Sequence, residues 1–207
     1  MITHVLAFDP SGNFNEGKGT TGWVLIQIMP GNKTEKLVAR GIIKATDYKS
    51  QEDYWNAHID LLDYNIKRHK KNLMVVIEDY ILYENRTDSQ INSQFETCRL
   101  IGILQWFCWK NNQKYILETA SQVKSRWSDY ILSERGVTFM AGNKHIHAET
   151  GLVLNIHVRD ALRHALHFIY CKNKPKKTSQ RKQQIEHFSN YIGDKYEHNK
   201  YNAGRRS

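Results

Sequence analysis

The chain has 207 residues, 40% of them hydrophobic, and a formal net charge of +9. That length suits one domain, or one domain with a tail, and the apolar share is enough for a core. The charge excess points to a polyanionic partner such as nucleic acid, because Lys and Arg that neutralise phosphates release condensed counterions. No apolar run approaches the ~20 residues of a membrane span, and the opening MITHVLAFDPSG has neither the basic nor the apolar region of a signal peptide. A soluble, cytoplasmic protein is expected.

In chain order, THVLAFD (3–9) reads as a short buried strand, followed by a Gly/Asn-rich turn over 10–19. TGWVLIQIM (21–29) is a second strand, Pro30-Gly31-Asn32 a turn, and KLVARGIIKA (36–45) a third strand, which together suggest an antiparallel meander. In 51–70, Trp55, Ile59, Leu62 and Ile66 recur at helical spacing, and basic residues gather at the C-terminal end where the helix dipole favours them. LMVVIEDYIL (73–82) begins as a continuous apolar run, the mark of a strand covered on both faces. A polar loop (84–93), a largely buried helix (94–110) and a short strand (114–118) follow. The remainder reads as a serine-capped helix (121–135), a polar loop-like stretch (140–150) and an amphipathic helix (156–171).

The expected order is therefore β-β-β-α-β-α-β-α-α, a mixed sheet with helices on its faces. Cys98, Cys108 and Cys171 all lie in apolar stretches without zinc-type spacing, so they are expected to be core thiols in a reducing compartment. From Lys172 onwards there are ten Lys or Arg against three Asp or Glu, so +7 of the +9 falls there. A domain over 1–172 with a basic tail over 173–207 is expected, the tail being partly disordered.

Three elements carry candidate chemistry. Asp9 ends the first strand before Pro10, where it is either a turn-forming residue or a carboxylate presented at the strand's end. Glu78 follows Leu73–Ile77, a run destined for the sheet interior, and an unpaired carboxylate there is expensive. It is either a surface residue at a fraying end or a group bound to a cation. His157, Asp160, His164 and His167 share one face of the last helix, which is either a polar face neutralised by Arg159 and Arg163 or a metal-ligating face. Two divalent ions can clamp the attacking and leaving oxygens of a phosphodiester, and magnesium needs only a few carboxylates. Asp9, Glu78 and Asp160 come from three elements that could face one cleft.

The motifs AFDPSG, TGW, VVIEDYIL, QFETCRLIGIL, YILETASQVKSRW and HVRDALRHAL, in this order over residues 4–170, resemble the RuvC-type Holliday junction resolvases of the RNase H-like superfamily. The resemblance implies a five-stranded mixed sheet, a meander plus parallel strands flanked by helices. It also implies a Mg²⁺-dependent endonuclease with two ions per site, also active in Mn²⁺, cutting branched DNA as a homodimer. The family's metal-holding positions fall on Asp9, Glu78, His157 and Asp160. Its apolar probe of the junction centre falls among Tyr80, Ile81 and Tyr83, residues that can equally finish the strand and pack in the core. Lys124, Arg126 and Lys144 are candidate phosphate contacts. Trp106, Phe107 and Trp109 offer a dimer face, although core packing explains them too.

The sequence departs from the family in the longer loop 11–20, in Asp79 after Glu78 and in the basic tail. Such divergent forms are familiar from bacteriophages, which implies a phage origin and action in the host cytoplasm. Two rival readings remain open: an RNase H-fold nuclease for flaps, forks or RNA–DNA hybrids, and a non-catalytic protein that binds branched DNA. A kinase or transporter reading has no phosphate loop or membrane segment behind it.

Overall fold

The alternation of side chains along the first strand decides how the molecule is layered. In a computed structural model, which describes residues 1–29, 35–81 and 95–172, β1 (His4–Asp9) turns Val5 and Ala7 to one side and Leu6 and Phe8 to the other, all of them wholly buried. β1 is the centre of a five-stranded sheet in the order β3-β2-β1-β4-β5. β2 (Thr20–Ile28) and β3 (Glu35–Lys44) complete the expected antiparallel meander. β4 (Leu73–Asp79) and β5 (Tyr115–Thr119) add parallel pairs on the far side of β1. The fold class is the expected one.

One face of the sheet packs on α1 (Gln51–His69) and α2 (Glu96–Lys110), with Leu6, Phe8, Val75 and Ile77 against Tyr54, Leu62, Leu100 and Leu104. Ser50 caps α1 by accepting a hydrogen bond from the Asp53 amide, and Lys67, Arg68 and His69 sit in its last turn. Its buried face runs through Tyr54, His58, Leu62 and Asn65. That face is rotated from the expected stripe: Trp55, Ile59 and Ile66 only flank the core, because buried His58 and Asn65 find internal partners that hydropathy does not count.

The other face carries the last helix. The predicted helix over 121–135 is two short ones, α3 (Ala120–Lys124) and α4 (Asp129–Glu134), capped by Thr119 and Ser128. The chain breaks between them to bury Trp127. The stretch 140–150, read as a loop, instead forms a small antiparallel sheet of β6 (Thr138–Ala141), β7 (Lys144–His147) and β8 (Val153–Leu154). Its strands are short, and buried Ile146 and His147 are masked by polar neighbours, so alternation does not show. α5 (Ile156–His167) follows and continues in a wider turn over Phe168–Lys172. Val158, Ala161, Leu162, Ala165 and Leu166 of α5 pack on Val5, Ala7, Val24, Ile26 and Val76.

The cysteines depart from expectation: Cys108 is buried, but Cys171 is only half-buried and Cys98 is exposed. Among the described residues, no helix is long and apolar enough to cross a membrane. The loop 84–93 with Tyr83, and the tail 173–207, lie outside the described residues.

Candidate active site

Three acids come level at one edge of the sheet. Phe8 of β1 pairs with Ile77 of β4, so Asp9 stands beside Glu78, and Glu78 pairs in register with Glu118 of β5. By strand alternation, Asp9 follows Val5 and Ala7, and Glu78 follows Val76, onto the face covered by α5. The parallel ladders thus carry a row of carboxylates at the carboxyl ends of three adjacent strands.

α5 lies over that row because Gly22 lets it. Gly22 pairs with Asp9 across the β1–β2 ladder. A Cβ there would stand 2.1 Å from the His157 carbonyl carbon, so only glycine permits helix and strand to approach this closely. Asn155 caps α5 by accepting from the Val158 amide. His157, Asp160, His164 and His167 then follow at spacings of three and four along one side of the helix. His157 Nδ1 lies 2.9 Å from Asp9 Oδ2, and His164 Nε2 lies 2.8 Å from Glu78 Oε2. The other ring nitrogen of His164 faces Glu118 at 3.4 Å, and His167 Nδ1 meets Glu118 at 2.9 Å. Asp160 takes Lys124 Nζ at 2.9 Å and a close contact from Arg163, which also reaches Asp129. Arg159 bonds Asp129 at 2.9 Å.

Burial raises the Asp9 carboxyl to about 6, the charges of Glu78 and Asp160 add to the effect, and the hydrogen bond from His157 partly offsets it. His157 is raised in turn, first by that hydrogen bond. Burial opposes the charge on His164, yet its contacts with the Glu118 and Glu78 carboxylates prevail and lift it to about 9. Lys124 is likewise raised against burial, by Asp160 and then by Glu78 and Asp9. The influence of Glu78 and Asp160 on Asp9 places three carboxylates within one electrostatic neighbourhood.

As they stand, each acid leans on a protein cation, and no three His, Cys, Asp or Glu side chains among the described residues converge in a metal-binding arrangement. That pairing is how an acid cluster limits its own repulsion. The donor set nevertheless suits a divalent cation: three carboxylates for magnesium, with an imidazole that manganese tolerates better.

The remaining candidates divide. Lys124 lines the site with its side chain 47% exposed, enough to meet a phosphate while bonded to Asp160. Arg126 lines a neighbouring groove with Gln122, Ser125, His167, Cys171 and Lys172. Lys144 is exposed at the start of β7. Tyr80 is half-buried and packs against the core cluster beneath α1 and α2, and Ile81 is also half-buried. Trp106 and Trp109 are exposed on α2, whereas Phe107 joins the core. Sequence reasoning missed Glu118, Asp129 and the separate partners of His164. Glu118 ends a strand too short for its polarity to stand out, and Asp129 reads as an ordinary polar residue inside the helix expected over 121–135.

No protein-family model and no curated protein matches the sequence. Solved structures match the fold. T. thermophilus RuvC in complex with Holliday junction substrate aligns with a TM-score of 0.56 and 13% identity, covering 81% of this chain and 94% of that one. The Thermus thermophilus RuvC structure aligns with a TM-score of 0.54 and 15% identity over 81% and 94%. The chain therefore has the RuvC form of the RNase H-like fold.

Proposed function

We propose that this chain is a divalent-metal-dependent endonuclease that cuts branched DNA, with Asp9, Glu78, His157 and Asp160 as its metal-holding residues. The observation that carries the reading is the register that sets Asp9 beside Glu78 at two strand ends, under a helix that brings His157 within 2.9 Å of Asp9 and carries Asp160 on the same side. The likeness of fold to a RuvC captured with Holliday junction substrate supports DNA as the polyanion that the net charge of +9 anticipates.

Divalent ions held there, magnesium or manganese and two per site, would supply Lewis-acid stabilisation to the attacking and leaving oxygens. The chain's own residues do the positioning. Asp9 and Glu78 project from a rigid sheet. His157 is oriented by Asp9. Lys124 offers a fixed positive charge beside the carboxylates, where a scissile phosphate would lie. The basic segment 173–207 adds backbone contacts that strengthen binding without reading sequence. Two symmetric nicks need two sites related by a two-fold axis, which an isologous dimer supplies. The exposed Trp106 and Trp109 of α2 are the face we assign to it.

The test is a cleavage panel of four-way, three-way, flapped, linear and RNA–DNA hybrid substrates, in Mg²⁺ and in Mn²⁺, with wild type and Asp9→Asn. The four-way junction is expected to be cut fastest, more readily in Mn²⁺, and Asp9→Asn to bind without cutting. Normal turnover by Asp9→Asn, or cutting in EDTA, would overturn the site. Preference for the hybrid or flap would move the substrate to the rival nuclease reading.

A further inference from the structure

Glu118 is the most deeply placed acid among the described residues, 1% exposed. Burying a carboxylate is costly unless it is paired. Its partners are His167 Nδ1 at 2.9 Å, His164 Nδ1 at 3.4 Å and Lys172 Nζ at 3.6 Å. His164 is wholly buried, and its second nitrogen holds Glu78 Oε2 at 2.8 Å. The imidazole therefore stands between two carboxylates that are neighbours in the β4–β5 ladder, with one ring nitrogen towards each.

We propose that Glu118 is a positioning residue of the acidic centre: acting through His164, it fixes the orientation of the Glu78 carboxylate. This rests on the metal-centre reading above. A histidine anchored from one side only can turn about its ring axis. Bonded to Glu78 through one nitrogen and turned towards the Glu118 charge at 3.4 Å through the other, without a hydrogen bond there, it favours one setting, and Glu78 inherits that setting. Without the imidazole, two like charges side by side on adjacent strands would push apart, and the outer one, Glu78, is free to move. His167 and Lys172 hold Glu118 from behind, so the chain Lys172/His167–Glu118–His164–Glu78 runs from the end of α5 to the site. Supporting groups of this kind are worth ~10- to 100-fold in metal affinity where they have been removed.

The rival explanation is that Glu118 merely ties α5 to β5. Mn²⁺ binding, followed by electron paramagnetic resonance without DNA, separates the two when measured with melting temperature on wild type, Glu118→Gln, His164→Gln, the double variant and Asp9→Asn. Glu118→Gln is expected to weaken Mn²⁺ binding by about 10- to 100-fold. The double variant is expected to bind no worse than His164→Gln alone, since the second change acts through the first. Should Glu118→Gln not fold, Glu118→Asp keeps the charge but draws it back from His164, and is expected to show a smaller loss of the same kind. Unchanged Mn²⁺ affinity with a lowered melting temperature would overturn the proposal, and so would losses that add in the double variant. In either case a binding defect in Asp9→Asn would leave the metal centre itself standing. Failure of wild type to bind Mn²⁺, or wild-type binding by Asp9→Asn, would remove the centre and the proposal with it.

Discussion

Asp9 illustrates a residue kept against its own stability. Its folded-state carboxyl lies at about 6, above the ordinary value of 3.8. Its favourable contribution is therefore complete only below the ordinary value and is lost as pH rises through 6, so at pH 8 the ionised group strains the fold. Asp9→Asn is expected to abolish cutting while leaving stability in EDTA at pH 8 unchanged or higher, by no more than about 3 kcal/mol. Scanning calorimetry beside a cleavage assay checks both halves, and a clear loss of stability would mean that Asp9 mainly serves the fold. His58 behaves oppositely. It lies wholly buried and is pushed down to about 4 by burial. Its Nδ1 donates to the Tyr54 carbonyl at 2.7 Å, and its Nε2, 2.8 Å from Thr21 Oγ1, accepts from that hydroxyl. The neutral ring is thus fully satisfied, and its stabilisation is present above the ordinary value of 6.5 and lost as pH falls towards 4. In urea titrations the advantage of wild type over His58→Gln is expected to shrink by about 2 kcal/mol between pH 8 and pH 5. An advantage constant with pH would refute this.

At the scale of elements, the position of α5 decides whether there is a site at all. Gly22→Ala would drive a methyl group into the His157 backbone. Overpacking of this sort typically costs about 1–3 kcal/mol, and here it also parts His157 and Asp160 from Asp9. Melting temperature and cutting are expected to fall together. Gly102 on α2 is the contrasting case: among the described residues, nothing lies within 4 Å of where its Cβ would stand. Gly102→Ala is expected to stabilise by about 0.5–1 kcal/mol through helix propensity. If the two substitutions had equal effects, the close approach of β2 and α5 would not govern the site. The sequence showed α5 and its polar face plainly, because twelve helical residues give a strong period. It did not show the small sheet over 138–154, whose strands are two to four residues long, too short for alternation to register.

For the whole molecule, the core clusters of the described residues reach no further than Tyr170, whereas +7 of the net +9 lies from Lys172 onwards. Removing 173–207 is expected to leave a folded domain that binds DNA more weakly. The slope of log K against log salt should flatten by about 0.9 for each phosphate that the tail no longer neutralises. Filter binding from low to moderate salt measures it, and an unchanged slope would exclude the tail from the DNA interface.

The sequence by itself determined the sheet. Long apolar runs at 4–9 and 73–79 and the meander turns leave few ways to bury so much surface. It also marked Asp9, Glu78, His157 and Asp160 as candidates, because a carboxylate closing an apolar run and a His/Asp pair on a helix face are visible locally. Only the tertiary structure decided who holds whom. That Asp9 meets His157, that His164 lies between Glu78 and Glu118, and that Lys124 and Arg163 share Asp160 all follow from strand register and from the missing side chain at Gly22. Register and close approach are relations between segments up to 148 residues apart, and no local period encodes them.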